Sequence, residues 1–258
     1  GGGGGLPKCS CGFTLAETLI TLGIIGIIAA ITLPSIIGRY QEKVTISQLK
    51  QTYSLLSQAF AMAIEEHGTV DGWCDMNSID VNACSKIIKS RIEPYIKRLH
   101  TQKDHLNHSF AKSYKNRFNT NTWRRIDPNF VMANGTAVMF NAQNGDGYTS
   151  AWCKEKIRYS YDVANGYQRS CGTIYVDINS HKKPNVDGLD LFAFKIYQNG
   201  ITPKGRKADN IWVESFKNQC LGQQYYAPGS CTAWVLINEN MDYLRCNDLS
   251  WDGKTKCK

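Results

Sequence analysis

The feature that most constrains this chain of 258 residues is an apolar stretch from Leu19 to Ile37 that contains no charged residue. As a helix rising about 1.5 Å per residue it would reach roughly 28 Å, close to the hydrocarbon thickness of a bilayer. The stretch therefore predicts one transmembrane helix. A cleaved signal peptide has a similar basic start and apolar core. However, Glu17 lies just before this stretch, at the start of the predicted helix. A carboxylate in hydrocarbon costs about 2.5 to 3.5 kcal/mol, so a signal peptide that is cut off would have no use for it.

The residues around the start of this stretch carry a family resemblance. Gly12-Phe13-Thr14-Leu15-Ala16-Glu17-Thr18-Leu19, with Pro34 later in the helix, resembles the N-terminal signature of type IV pilins and type II secretion pseudopilins. The resemblance implies that a prepilin peptidase cuts after Gly12 and that Phe13 becomes the methylated first residue. It also implies that Glu17 acts in assembly, where the amine of a neighbouring Phe13 would neutralise it, and that Pro34 occupies the family's kink position.

Apolar residues continue past Ile37 at intervals of three or four positions, which is the spacing of an amphipathic helix. His67-Gly68 predicts a left-handed helix end, so the helix would run from Phe13 to His67 and reach about 80 Å. An independent coiled coil is the alternative, whereas the pilin resemblance implies a ladle in which this half packs on a globular head. The apolar positions are Ile46, Leu49, Tyr53, Leu56, Phe60 and Ile64.

Four segments follow from this interpretation. Residues 1–12 are a prepilin leader, residues 13–38 a transmembrane and polymerisation helix, and residues 39–68 its amphipathic continuation. Residues 69–258 form a disulfide-containing globular head.

The head is predicted to have an α+β fold in which an antiparallel sheet packs on the long helix. A helix is predicted from Ser78 to Leu99, with Pro94 breaking or kinking its end. Short runs rich in β-branched and aromatic residues predict strands, and no second head helix is expected. These strands are Thr136–Asn141, Gly172–Ile178, Leu189–Tyr197 and Thr232–Ile237.

Eight cysteines follow the leader, and their even number predicts disulfides in an oxidising compartment. A zinc site is the weaker alternative because none of them are spaced Cys-x-x-Cys. A turn at Tyr226-Ala227-Pro228-Gly229 could bring Cys220 near Cys231, but the remaining connectivity is open. The eight are Cys74, Cys84, Cys153, Cys171, Cys220, Cys231, Cys246 and Cys257.

One head segment combines several oxygen-bearing side chains, which are the ligands that calcium favours. The same residue types are also ordinary turn formers, and an EF-hand's Gly and Glu are missing at their spacing. Calcium is therefore one hypothesis and a plain turn is the other. The candidate ligands are Asp177, Asn179, Asn185, Asp187 and Asp190.

The chain carries a net charge of +8, and most of the excess lies between Lys97 and Arg125, where eight basic residues face one acid, Asp104. With aromatic residues interleaved, this segment could bind nucleic acid or anionic lipid, or be a solvated loop. The basic residues are Lys97, Arg98, Lys103, Lys112, Lys115, Arg117, Arg124 and Arg125.

The functional expectation combines these features. An apolar content of 42% excludes an extended disordered chain, and no nucleophile, base and orienter can be recognised, so the protein is not expected to be an enzyme. The expected function is that of a structural subunit of a pilus or type II secretion pseudopilus. It would be single-pass in a bacterial inner membrane, with its head in the periplasm or on a fibre, and would form helical filaments with itself and related subunits to support protein secretion. The alternative is a minor type IV pilin that binds DNA or a surface ligand.

Overall fold

The structure is a computed structural model that describes residues 1, 14–74, 81–98, 111, 113–116, 118, 122–124, 130–142, 170–180, 182–209, 215–222 and 228–257. The chain divides into two compact units, residues 1–43 and 44–258. One helix, α1, runs from Leu15 to His67 and contributes residues to both units.

In the first unit, α1 is apolar around its whole circumference from Leu19 to Ile37. None of the described side chains of this unit is buried. Helices of this kind belong in a membrane or among like helices, because no single face could be covered by a small core. The exposed large hydrophobic side chains of this unit are Leu15, Leu19, Ile20, Leu22, Ile24, Ile25, Ile27, Ile28, Ile31, Leu33, Ile36, Ile37 and Tyr40.

The later part of α1 belongs to the second unit and forms one side of its core. The predicted stripe is confirmed: Leu49, Leu56 and Phe60 are fully buried, and the other three positions pack partly buried against the same core. Tyr53 stacks on Phe194 of the sheet with ring centroids 5.3 Å apart. The helix ends as predicted, since Gly68 is left-handed at φ 74° and donates its amide to the carbonyl of Ile64 over 2.9 Å.

Two neighbouring leucines of α1 give a test of this packing. Leu56 is completely buried, whereas Leu55 is 41% exposed. We expect Leu56→Ala to lower the free energy of unfolding of the head by about 3 kcal/mol, because it removes buried apolar atoms and leaves a cavity. Leu55→Ala, the matched control, should change it by less than about 0.5 kcal/mol. Denaturant unfolding of both variants measures the difference, and equal losses would contradict the packing described here.

The predicted antiparallel sheet is confirmed, with five strands that follow one another in chain order. Its three longest strands match the sequence prediction to within two residues at each end. A separate two-stranded ribbon consists of β1 and β2. The strands are β1 Ser113–Lys115, β2 Thr122–Arg124, β3 Phe130–Val131, β4 Ala137–Asn141, β5 Gly172–Asp177, β6 Leu191–Tyr197 and β7 Gly200–Pro203.

Alternation along the strands gives the sheet two buried faces. One face, which includes Phe140, Ile174 and Phe194, packs in the same core as α1, and these three residues are in register across β4, β5 and β6. The other face includes Met139 and Tyr175 and is covered by the segment around β1. The sheet is therefore the central layer of the head.

The first head helix, α2, runs from Val81 to Ile92 and is shorter than the predicted range. It ends before Pro94 because the residue preceding a proline is disfavoured in the α conformation. Residues Glu93–Tyr95 continue as a short 3₁₀ turn. Cys84, Ile88 and Ile92 face the core and are completely buried.

The predicted strand at Thr232–Ile237 is wrong, as is the expectation that no second head helix exists. Residues Thr232–Asn238 form an α-helix, α3. Its apolar residues are continuous and show no period, so the sequence pattern does not distinguish a buried strand from a buried helix. Tertiary contacts decide for the helix: the hydroxyl of Thr232 donates to the carbonyl of Gly229 over 2.6 Å, and the ring of buried Trp234 stacks on Phe216 at 4.1 Å.

Candidate functional site

The first turn of α1 is closed by a capping box between Thr14 and Glu17. The backbone amide and the hydroxyl of Thr14 both donate to Oε2 of Glu17 at 2.9 Å. In return, the amide of Glu17 donates to the hydroxyl of Thr14 over 3.2 Å. This reciprocal arrangement satisfies amide groups that have no partner inside the helix. Glu17 thus has hydrogen-bond donors within its own chain.

Polar side chains farther along the apolar part of α1 are also satisfied internally. The hydroxyls of Thr18, Thr21 and Thr32 donate to carbonyls one turn earlier, over 2.8 to 2.9 Å. Pro34 lies inside α1, which continues through it; its ring has no N–H for the carbonyl four residues before. Among the described residues, α1 is long and apolar enough to cross a membrane. The predicted cleavage residues Gly12 and Phe13 lie outside the described residues.

The head cysteines are joined mainly between neighbours in sequence. The structure contains the disulfides Cys74–Cys84, Cys220–Cys231 and Cys246–Cys257. Cys171 is also disulfide-bonded, and Cys153 lies outside the described residues. Cys74–Cys84 ties the end of the first head turn to α2, and Cys220–Cys231 leads into α3.

The predicted calcium residues lie at the β5–β6 connection, where most of them hold the chain itself together. Both carboxylate oxygens of Asp190 accept backbone amides, from Asn185 over 2.6 Å and from Val186 over 2.7 Å. Asp187 accepts the amide of Gly229 over 2.7 Å. Asp177 accepts the Tyr114 hydroxyl and, over 3.2 Å, the amide of Asn179.

Two carboxylates of this connection are buried close to one another. Burial, with a smaller contribution from Asp190, raises the pKa of Asp177 to about 8, against the hydrogen bond from Tyr114, which lowers it. Burial likewise raises the pKa of Asp190 to about 6, while amide hydrogen bonds oppose the shift. The same surroundings raise the pKa of Tyr114, so its hydroxyl stays protonated and donates.

The chemistry of these side chains fits a cation only in part. The Oδ1 atom of Asn185 is buried and has no hydrogen-bond donor in the described part of the chain, so it is available to a cation. The carboxylates, however, already accept hydrogen bonds from the chain, and the described residues contain no group of three or more His, Cys, Asp or Glu placed to hold a metal. Calcium binding here stays a prediction.

The basic segment is only partly described. Lys97 and Arg98 are exposed, and the Arg98 guanidinium pairs with Glu93. Lys115 is exposed on β1, next to buried Tyr114, whose hydroxyl donates to Asp177. The backbone of Arg124 lies in β2, paired with that of Ser113. Lys103, Lys112, Arg117 and Arg125 lie outside the described residues.

Two features of this region are missed by sequence reasoning. In the sequence, Tyr114 is one of several aromatic residues that lie between the basic residues. In a three-residue strand its neighbours Ser113 and Lys115 are polar, and this alternation would place the Tyr114 side chain on the inward face. The basic residues of α2, Lys86, Lys89 and Arg91, precede the Lys97–Arg125 segment and extend its charge toward the N-terminus. A charge count over a longer stretch of the chain would include them.

Comparison with known proteins locates one match. Residues 7–33 match the family model described as a prokaryotic N-terminal methylation motif. The match confirms the type IV pilin and pseudopilin signature in this chain and covers Gly12, Phe13 and Glu17. Searches of curated proteins and of solved structures find no match to the chain. The motif, together with the apolar helix α1 in the described part of the chain, supports a pilin-like subunit that is anchored in a membrane.

Proposed function

We propose that this chain is a structural subunit of a type II secretion pseudopilus or a type IV pilus that supports protein secretion from a bacterial cell. The methylation motif at residues 7–33 carries the proposal. Prepilin peptidase would cut after Gly12, and the apolar part of α1 would hold the subunit in the inner membrane until it enters a helical filament with other subunits. The head would lie in the periplasm or on the fibre.

The physical properties of the first unit support this proposal. Its apolar side chains are exposed on every side of α1, so they suit both a bilayer and a bundle of like helices. The Thr14–Glu17 capping box and the internal hydrogen bonds of the threonine hydroxyls leave few polar groups without a partner. Few groups would therefore carry the free-energy cost of an unsatisfied polar atom in hydrocarbon. Disulfides in the head are typical of an extracytoplasmic compartment.

Mass spectrometry of the purified mature protein tests the processing step. We expect the chain to begin at a methylated Phe13, with all cysteines of the head oxidised. A Gly12→Glu variant should keep its leader, because a charged side chain would replace the small glycine at the predicted cut, and so provides the unprocessed reference mass. An intact leader on the wild-type protein, or a different first residue, would contradict the proposal.

A gene deletion separates secretion from pilus formation. Loss of exoprotein release with surface fibres retained is expected for a pseudopilus subunit. Loss of fibres with secretion retained would assign the chain to a pilus instead, and loss of DNA uptake alone would overturn the secretion function.

A further inference from the structure

The part of α1 that directly follows its charge-free stretch carries two cations. The apolar residues end at Ile37, and Arg39 and Lys43 are both exposed in the next turn and a half. Residues four apart lie on the same face of a helix, so the guanidinium and the ammonium project from one side of α1. Neither of them forms an ion pair with another residue in the described part of the chain, whereas Lys50, farther along α1, pairs with Glu239 over 2.6 Å.

A tyrosine lies on the same side of the helix as these cations. Tyr40 is 67% exposed, and it precedes Lys43 by three residues, so the two side chains are neighbours on the helix surface. Ile36 lies one turn before Tyr40 and is the last apolar residue of this face. Tyrosine is enriched where membrane hydrocarbon meets water, because its ring is apolar and its hydroxyl is polar. We call Arg39, Tyr40 and Lys43 the α1 basic face.

The position of the α1 basic face along the helix matches the headgroup layer of a bilayer. The hydrocarbon core is about 30 Å thick and the bilayer with its headgroups about 40 to 45 Å, so each headgroup layer measures about 5 to 7 Å. If residues 19–37 span the hydrocarbon, Arg39 lies about 3 Å beyond it and Lys43 about 6 Å farther. Arg39 is then within the layer and Lys43 at its outer edge, and their long side chains let both charges reach lipid phosphates.

We propose that the α1 basic face binds the headgroups of anionic phospholipids in the membrane that anchors the subunit. Charge complementarity supports this partner, because a guanidinium binds a phosphate through two parallel hydrogen bonds and an ammonium binds it as a point charge. Lipids with a net negative charge are preferred to zwitterionic lipids, since a Lys or Arg near an anionic surface is attracted within about a Debye length. Glu42 lies one turn after Arg39, borders the face and weakens this attraction.

The bound headgroups fix the depth of α1 in the bilayer, together with the ring of Tyr40 at the hydrocarbon boundary. A subunit that leaves the bilayer exchanges these phosphates for water or for groups of its neighbours. The inference rests on the membrane anchor and does not require filament assembly, so failure of lipid binding would leave the proposed function standing.

Native mass spectrometry of the mature full-length protein in nonionic detergent measures which lipid stays bound. The probe is an equimolar mixture of phosphatidylglycerol and phosphatidylcholine with the same acyl chains, so that only the headgroups differ. We expect the protein to retain phosphatidylglycerol at least about tenfold more than phosphatidylcholine, because two cations act on the anionic lipid. The double variant Arg39→Gln/Lys43→Gln should lower this preference to less than about threefold, since it keeps polar side chains but removes both charges.

Two further variants keep the test independent of folding and of net charge. Lys86→Gln/Lys217→Gln removes the same charge from two exposed lysines of the head and should leave the lipid preference unchanged. Glu42→Gln removes the acid that borders the face and should raise the preference, an effect that a damaged helix would not produce.

Three results would overturn the proposal. Equal losses in the two double variants would show that net charge alone selects the lipid. Displacement of the lipid by inorganic phosphate alone would indicate a site for a free anion. An unchanged preference in Arg39→Gln/Lys43→Gln, with filament formation lost, would assign the two charges to a contact between subunits.

Discussion

Replacing Glu17 by Ala is expected to leave a subunit that inserts in the membrane and is processed but does not assemble. Insertion depends on the apolar side chains of α1, which the substitution leaves in place. Assembly would need the carboxylate, because in a filament the amine of Phe13 from a neighbouring chain is a charge that hydrocarbon cannot solvate. Membrane fractionation and filament shearing measure the two steps separately.

The capping box makes the interpretation of this variant ambiguous, since Glu17→Ala also removes a partner of Thr14. Glu17→Gln resolves the ambiguity, because glutamine can complete a capping box but carries no charge. We expect Glu17→Gln to fail in assembly as Glu17→Ala does. Thr14→Val removes the capping hydroxyl and keeps the charge, and it should still assemble. Normal filaments from Glu17→Gln would show that the side chain acts as a helix cap and would rule out the charge-pairing role.

The long helix and the central strands were predictable from sequence because their signals are local. A charge-free run such as Leu19–Ile37 has few other solutions, and the stripe from Ile46 to Ile64 repeats at the helical period. Strands β4, β5 and β6 are rich in β-branched and aromatic residues and end at turn formers. In these elements the local preference of the residues agrees with the final structure, so the residue pattern alone is enough to predict them.

Sequence reasoning failed where distant contacts decide the outcome. The run at Thr232–Asn238 contains residues that favour strands, yet it is helical because Trp234 fits against Phe216 and because the turn at Gly229 packs against Ala193. An added Cβ at Gly229 would lie 2.6 Å from the Ala193 amide nitrogen, so only glycine allows this approach. No spacing within the run encodes either contact.

The candidate sites show the same division. Glu17 and Thr14 are three residues apart, and their spacing is that of a capping box. Tyr114 and Asp177 are 63 residues apart in sequence, so nothing local indicates that the hydroxyl of one closes over the carboxylate of the other. The Asp and Asn residues of the β5–β6 connection were recognisable as oxygen ligands, but their backbone partners become visible only in the fold.

The buried carboxylates should make the stability of the head depend on pH. Because the pKa of Asp177 is raised to about 8 in the folded state, the folded chain binds a proton more tightly than the unfolded chain does. The contribution of protonated Asp177 to the free energy of unfolding is therefore complete below about pH 4 and is lost as the pH rises toward 8. Asp190, whose pKa is raised to about 6, acts in the same direction. A tenfold difference in proton affinity corresponds to about 1.4 kcal/mol. Across this pH range, Asp177 alone therefore changes the free energy of unfolding by on the order of several kcal/mol.

Unfolding of the full chain in detergent with EDTA measures this dependence. We expect the free energy of unfolding of the head to fall between pH 5 and pH 8, and to fall much less in Asp177→Asn, whose side chain does not ionise. Asp248→Asn is the matched control: Asp248 pairs with Lys254, and their hydrogen bond lowers its pKa, so it titrates below this window. A wild-type head that is equally stable throughout the window would show that Asp177 ionises normally.

The same titration with calcium in place of EDTA separates the two interpretations of the β5–β6 connection. A cation would bind the ionised carboxylates and compete with protons for them, so it should stabilise the head more at pH 8 than at pH 5. If the predicted site exists, calcium therefore cancels much of the fall in stability, and Asp177→Asn removes this effect. If calcium leaves the curve unchanged, Asp177 and Asp190 serve the fold alone. The pair would then stabilise the head best in its protonated form, because burial disfavours the charged carboxylates more than the hydrogen bonds from Tyr114 and the backbone amides favour them.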